Sequence, residues 1–202
     1  AETTLLPFQS VWKYFDQRTN LGTNWRTAAF NDSGWKLGKA RLGYSDNAVT
    51  VIEGGPTTNR IPTAYFRRSL SVSNVASIKS LTAHLVRDDG AIVYLNGREI
   101  FRSNLPAGDI RFDQFASETV GGDNEFAVFD RAVDSSLMVN GENTLAVEVH
   151  QVALNSPDMV FGARLRASGA GLGPAPALTA VGTMPMAINT AISSAAPAAR
   201  SR

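Results

Sequence analysis

The residues whose types and spacing could do chemistry cluster in the stretch RDDGAIVYLNGREIF, residues 87–101. Asp88 and Asp89 are adjacent carboxylates. Glycoside hydrolysis uses two such groups, but they must face each other across the scissile bond at roughly 5 to 9.5 Å. Neighbouring residues at a strand end project to opposite sides, so these two alone do not make a catalytic dyad. Two readings remain. In one, RDDG is a turn whose Asp side chains accept backbone N–H bonds while Gly90 supplies an unusual φ. In the other, one Asp accepts sugar hydroxyls or helps coordinate Ca²⁺, a hard cation that takes six to eight oxygens. Tyr94, whose place in the pattern suggests exposure, joins them as a candidate ligand contact.

The second constellation is EVHQ, residues 148–151. Glu148 and His150 fall on the strand face opposite Leu145, Val147 and Val149. His150 is a general-base type, yet no G-x-S-x-G elbow accompanies it, and His84 is the only other imidazole. Two histidines and no cysteine leave little from which to assemble a catalytic zinc or copper cluster. Glu148 and His150 are expected to hydrogen-bond neighbouring loops, or else His150, Gln151, Asn155 and Asp158 line a recognition rim. The loops YSDN (44–47) and GDNE (122–125) offer further oxygen ligands, without EF-hand spacing. EGGPTTNR (53–60) has glycines but lacks the G-K-[ST] ending of a phosphate loop, and no helical pattern follows it.

The elements that position these groups read as strands. SVWKYF (10–15), TAYFRRSLSV (63–72), SLTAHLVR (80–87), the AIVYL and REIF arms about Asn96-Gly97, NTLAVEVHQ (143–151) and MVFGARLRA (159–167) are short apolar runs between Gly, Asn, Asp and Pro clusters. In TAYFRRSLSV, Phe66, Leu70 and Val72 oppose Tyr65, Arg67, Ser69 and Ser71, with Arg68 as the exception. Asn-Gly between β-rich runs is the preferred pair for a type I′ hairpin turn. Helix signals are weak throughout. Seven or eight strands over roughly 165 residues predict an antiparallel sandwich. Trp12 is expected in the core and Trp35 in a packing role rather than as a sugar platform.

Composition sets the remaining limits. The chain has 202 residues, 44% hydrophobic and 18% charged, which suits one main globular domain. A formal charge of +1 supplies no phosphate-neutralising field, so nucleic acid is not an expected partner. No apolar run approaches the roughly 18 residues needed to span a bilayer as a helix. The opening AETTLLPF fits a mature end left after cleavage behind a small residue, and export is the expectation. With no cysteine, the core must hold without disulfides. Composition changes near residue 167: residues 1–167 read as the sandwich domain, and 168–202, rich in Ala, Pro and Gly with Arg200 and Arg202 as its only charges, read as a linker or as an arm that docks on a partner.

Taken in order, VWKYFD (11–16), NW (24–25), FNDSGWKLGKARLGYSD (30–46), TAYFRRSLSV, RDDGAIVYLNGREIFRSNLPAG (87–108), NTLAVEVHQ and SPDMVFGARL (156–165) resemble the galactose-binding-domain-like β-sandwich modules of secreted bacterial proteins. The likeness runs from residue 8 to 166. Similar modules accompany metallophosphoesterases, lamin-tail-domain proteins and glycoside hydrolases, generally without activity of their own. The pair VYLNG and NTLAVEV is also similar to the jelly-roll sugar-binding domain of family 2 glycosidases. The resemblance implies an all-β, antiparallel jelly-roll sandwich with an extended C-terminal tail, acting as a non-catalytic extracytoplasmic accessory module. Carbohydrate and a structural calcium ion are the ligands such modules carry at their loop end, and many have lost both. The alternative is a structural subunit of a larger envelope or membrane-associated complex that docks through residues 168–202. On either reading the partner is a glycan or a protein, and Asp88, Asp89, Tyr94, His150, Gln151, Asn155 and Asp158 are the candidate contacts.

Overall fold

The computed structural model describes residues 2–44, 47–170 and 172. In chain order the strands are β1 (Glu2–Leu6), β2 (Val11–Phe15), β3 (Lys36–Lys39), β4 (Leu42–Gly43), β5 (Thr50–Val51), β6 (Thr63–Val72), β7 (Ile78–Asp88), β8 (Gly90–Leu95), β9 (Arg98–Ser103), β10 (Phe129–Val133), β11 (Gly141–His150) and β12 (Val160–Gly169). The only helical pieces among the described residues are 3-10 turns, as the weak helix signals led us to expect.

Two six-stranded sheets form a β-sandwich. The first runs β10-β7-β12-β4-β5, with β1 also paired to β12. Registers Glu2↔Ser168 and Val160↔Gly43 put β1 and β4 end to end along one side of β12. The second sheet runs β3-β2-β6-β11-β8-β9. Every pairing is antiparallel except the two-residue β4–β5 contact. The second sheet ends on β3, an edge carrying exposed Lys36 and Lys39, and on β9.

Period-two alternation builds the core between the sheets. Phe66, Leu70 and Val72 of β6, Leu145, Val147 and Val149 of β11, Leu81, Ala83 and Leu85 of β7, and Phe161 and Leu165 of β12 all point inward and are buried. Trp12 is fully buried there, edge-on to Phe161 at 4.9 Å, which is the expected core role. Arg68, the break in the β6 pattern, turns to the sheet margin and donates to the Val11 carbonyl at 3.1 Å. The outer face of the second sheet is covered as well: Trp25, Tyr65, Ile92, Tyr94 and Ala146 form a smaller cluster under the loops that carry Leu21, Phe30, Trp35 and Phe112. Trp35 packs on Phe15 and Phe30, again as expected.

The hairpin of residues 90–103 has the predicted turn, with φ of +51° at Asn96 and +84° at Gly97. The residues before it differ from a simple turn. β7 belongs to the first sheet and β8 to the second, so between these two strands the single residue Asp89 carries the chain from one layer to the other. Gly90 has no positive φ. Its missing side chain is needed for close approach instead, because a Cβ there would lie 2.8 Å from the Asn104 carbonyl oxygen and 3.1 Å from the Ala116 Cβ.

Sequence patterning did not reveal β1, β10 or the short β5. The expected domain boundary at residue 167 falls inside β12, which continues to Gly169. From residue 173 onward, the expected linker or docking arm lies outside the described residues, as do Ser45 and Asp46 of the YSDN loop.

Candidate functional site

Two groups of polar residues stand out, one at the corner between the sheets and one on the outer face of the second sheet.

At the corner, Asp88 and Asp89 are both fully buried but have different partners. Asp89 is saturated by backbone donors. Its Oδ1 accepts from Val120 N and its Oδ2 from Val152 N, each at 2.8 Å, with Ser156 Oγ at 3.5 Å. Its backbone carbonyl accepts from Asn104 Nδ2 at 3.0 Å, and the same amide holds Glu118 O at 2.7 Å. One residue thus ties the crossing to two loops, residues 104–128 and 151–159. Asp88 has no such donors: neither of its oxygens has a hydrogen-bond partner. It meets carboxylates instead, since single oxygens of Asp88, Glu125 and Asp158 lie within 4.8 Å of one another. Burial, and then the charges of Asp89, Asp158 and Glu125, push the Asp88 carboxyl well above the usual carboxylate range. Burial and Asp89 likewise raise Asp158.

On the outer face of the second sheet, an open basin of about 400 Å³ is lined by Asn20, Thr23, Arg26, Tyr65, Phe112 and Glu148, among others. Glu148 is 2% exposed and forms its floor. Its Oε1 accepts from Arg26 Nη2 at 3.1 Å and from the Tyr94 hydroxyl at 2.5 Å, and its Oε2 lies 3.3 Å from His150 Nε2. His150 is oriented from the other side by its Nδ1, 2.7 Å from the Gln114 carbonyl. The Arg26 guanidinium lies over the Tyr94 ring at 4.3 Å from its centroid. Tyr65 stacks with Phe112 at 6.4 Å and 19°.

The seven residues expected as contacts are therefore distributed over both groups. Asp88 and Asp158 come together at the corner, with Asp89 beside them. Tyr94 and His150 support Glu148 from within the protein. Gln151 follows directly on the His150↔Gly90 pair, with its side-chain amide buried and unpartnered, and Asn155 is exposed on the 151–159 loop. The exposure expected for Tyr94 is corrected: the loop bearing Trp25 and Arg26 covers that face, so the ring is 3% exposed. The expectation that Glu148 and His150 bond to neighbouring loops agrees with their Arg26 and Gln114 contacts. Glu125 was visible beforehand only as one oxygen donor in GDNE. Arg26, Tyr65 and Phe112 were not singled out as a group, because only the fold brings residues so far apart in sequence to one basin.

No known protein family matches the sequence, and no curated protein does. Solved structures do match in fold. A β-glucuronidase of Bacteroides uniformis is 17% identical with a TM-score of 0.57, over 84% of this chain and 18% of its own. A glycosyl hydrolase family 2 member from Bacteroides cellulosilyticus is 16% identical with a TM-score of 0.54, over 83% and 21%. A β-glucuronidase of an uncultured Clostridium sp. is 16% identical with a TM-score of 0.52, over 84% and 29%. At this identity the likeness establishes the β-sandwich and nothing about chemistry. The chain spans between 18% and 29% of these enzymes' length. No helix among the described residues is long and apolar enough to cross a membrane.

Proposed function

We propose that this chain is a galactose-binding-domain-like jelly-roll module that binds carbohydrate without cleaving it, in the basin over the second sheet, and that it serves a larger extracytoplasmic system. The observation that carries this reading is the convergence of Arg26, Asn20, Thr23 and Glu148 beside the Phe112 ring in one open, polar cavity. A sugar has an apolar ring face that an aromatic side chain can cover and hydroxyls that carboxylate, amide and guanidinium groups can fix. That a portion of glycosidases shares this fold makes a sugar the ligand class to test first. Catalysis is not part of the proposal. Glu148 is engaged by Arg26 and Tyr94, and the other acid lining the basin, Asp113, is exposed and paired with Arg111 at 2.7 Å, so neither is a free acid and base facing one another.

The test is titration calorimetry against neutral and uronic-acid oligosaccharides. Binding is expected for at least one of them, with Phe112→Ala weakening it about tenfold through loss of the aromatic contact. An absence of heat across the panel would remove the glycan reading. Turnover of aryl glycosides that disappears in Glu148→Gln would remove the non-catalytic one.

A further inference from the structure

The two sheets differ in how their outer faces are covered. Loops close over the second sheet, whereas the first has an open hollow of about 350 Å³ where β7 and β12 meet the β1–β2 connection. Alternation fixes its floor. Leu81, Ala83 and Leu85 of β7 face the core, so Val86 faces out, in register with Gly162 of β12. Gly162 lies beneath the meeting point of three side chains: its Cβ position is 3.4 Å from Arg41 Cγ, 3.7 Å from Phe8 Cδ1 and 4.0 Å from Val86 Cβ. Phe8 and Phe126 line the hollow with Val49 and Val128, which are 63% and 50% exposed. Nothing among the described residues covers this apolar surface.

Two cations flank it without a counter-charge. The Arg41 guanidinium lies over the Phe126 ring and that of Arg164 over the Phe8 ring, each at 4.9 Å from the centroid. None of the ion pairs among the described residues includes either arginine. Arg164 Nη2 is 3.3 Å from His84 Nδ1, but that nitrogen is 2.5 Å from Asp130 Oδ1. Its proton therefore points to the carboxylate, and no lone pair remains for the guanidinium. Arg164 Nε is buried without an acceptor. Guanidinium groups left without acceptors beside an apolar hollow favour an anion with an apolar body.

We propose that this hollow is a second ligand site, for a small carboxylic acid bearing an aromatic or branched alkyl group. The apolar group rests on Val86 and Gly162 against Phe8 and Phe126, with Val49 and Val128 at its edges. The carboxylate takes N–H donors from Arg41, and Arg164 adds charge from the far side of Phe8. The volume is at the low end of small-molecule clefts, roughly 300 to 1,000 Å³. A sugar does not suit it, because Gln9 is the only uncharged polar side chain of the lining. Hollow and basin lie on opposite outer faces of the sandwich, so the sugar titration and this proposal stand or fall separately.

The experiment titrates the ¹⁵N-labelled full chain with 3-phenylpropionate and, separately, with 3-phenylpropionamide, which keeps the ring and lacks the charge. The acid is expected to move the amide signals of Val86, Val128 and Gly162 with a Kd on the order of 1 mM, suited to about a dozen heavy atoms in an open cleft. The amide analogue should bind at least about fivefold more weakly, having lost the charge-assisted hydrogen bonds. Arg41→Gln should remove that preference. Val128→Glu, at a half-exposed position where folding is not at stake, should weaken the acid and leave the amide analogue unchanged, because it sets a carboxylate at the rim. No movement of these signals up to about 20 mM acid, well above the expected Kd, would overturn the proposal. So would equal affinity for acid and amide analogue, or acid binding that both variants leave intact.

Discussion

At the residue scale, the buried charges of the second sheet's outer face are each held by several partners. Arg67 is 3% exposed. It donates to Asp32 Oδ2 at 2.7 Å, to Thr27 O at 2.9 Å and to the Trp25 carbonyl, while Lys13 reaches Asp32 Oδ1 at 2.6 Å. Burial alone would raise the Asp32 carboxyl, but the hydrogen bonds from Arg67 and Lys13 outweigh it and the net direction is down. A carboxylate with a lowered folded pKa adds stability above its unfolded value of about 3.9, and that stability is lost as pH falls through the lower folded value. Chemical denaturation of the wild type should therefore show a falling limb below about pH 4, part of which Asp32→Asn removes. Asp32→Ala should cost about 3 kcal/mol near neutrality, because it strands the buried guanidinium. An unchanged denaturation midpoint would mean that the Trp25 and Thr27 carbonyls alone suffice for Arg67.

At the scale of elements, the connection of residues 104–128 organises both candidate sites. Unstructured connections beyond about 15 residues are uncommon and usually functional. This one lines the basin through Ile110 to Asp113, is tied to Asp89 through Val120 and supplies Glu125 to the acidic triad. Its seat is Gly90, whose hydrogen leaves room for Asn104 and Ala116. Gly90→Ala is expected to cost about 1 to 3 kcal/mol by overpacking and to expose residues 104–128 to limited proteolysis while the β8–β9 hairpin stays protected. Equal resistance to protease would show that the loop does not depend on this approach. The same contrast explains what the sequence made legible. Alternation in TAYFRRSLSV and NTLAVEVHQ and the Asn96-Gly97 turn are local signals, and they placed β6, β11 and the hairpin. ETTLL and FDRAV are strands because β12 and β7 are there to pair with them, and the Asp88 triad exists because two loops meet the end of β7. Partners tens of residues away leave no periodicity in the segment itself.

At the scale of the whole molecule, the first and last described strands pair with each other, and no disulfide can shorten the search, as the chain has no cysteine. Such non-local pairing must be found against loop-closure entropy, which places β-sandwiches among slow folders. Refolding followed by tryptophan fluorescence, with Trp12 in the inner core and Trp25 on the outer face, should have its main phase in the millisecond-to-second range, roughly independent of reductant. A main phase in microseconds would argue for a mostly local order of assembly. The outermost strand β3 has one further effect, on crowding. No further strand pairs with its open side among the described residues, so that side could recruit a strand from another copy, but the Lys39 carbonyl there already accepts from Thr50 Oγ1 at 2.8 Å, and exposed Lys39, beside the Asp16-paired Lys36, sets its charge against any identical fringe that approaches. Copies held close together on a shared surface would thus tend to stay separate there instead of zipping into a continuous ribbon.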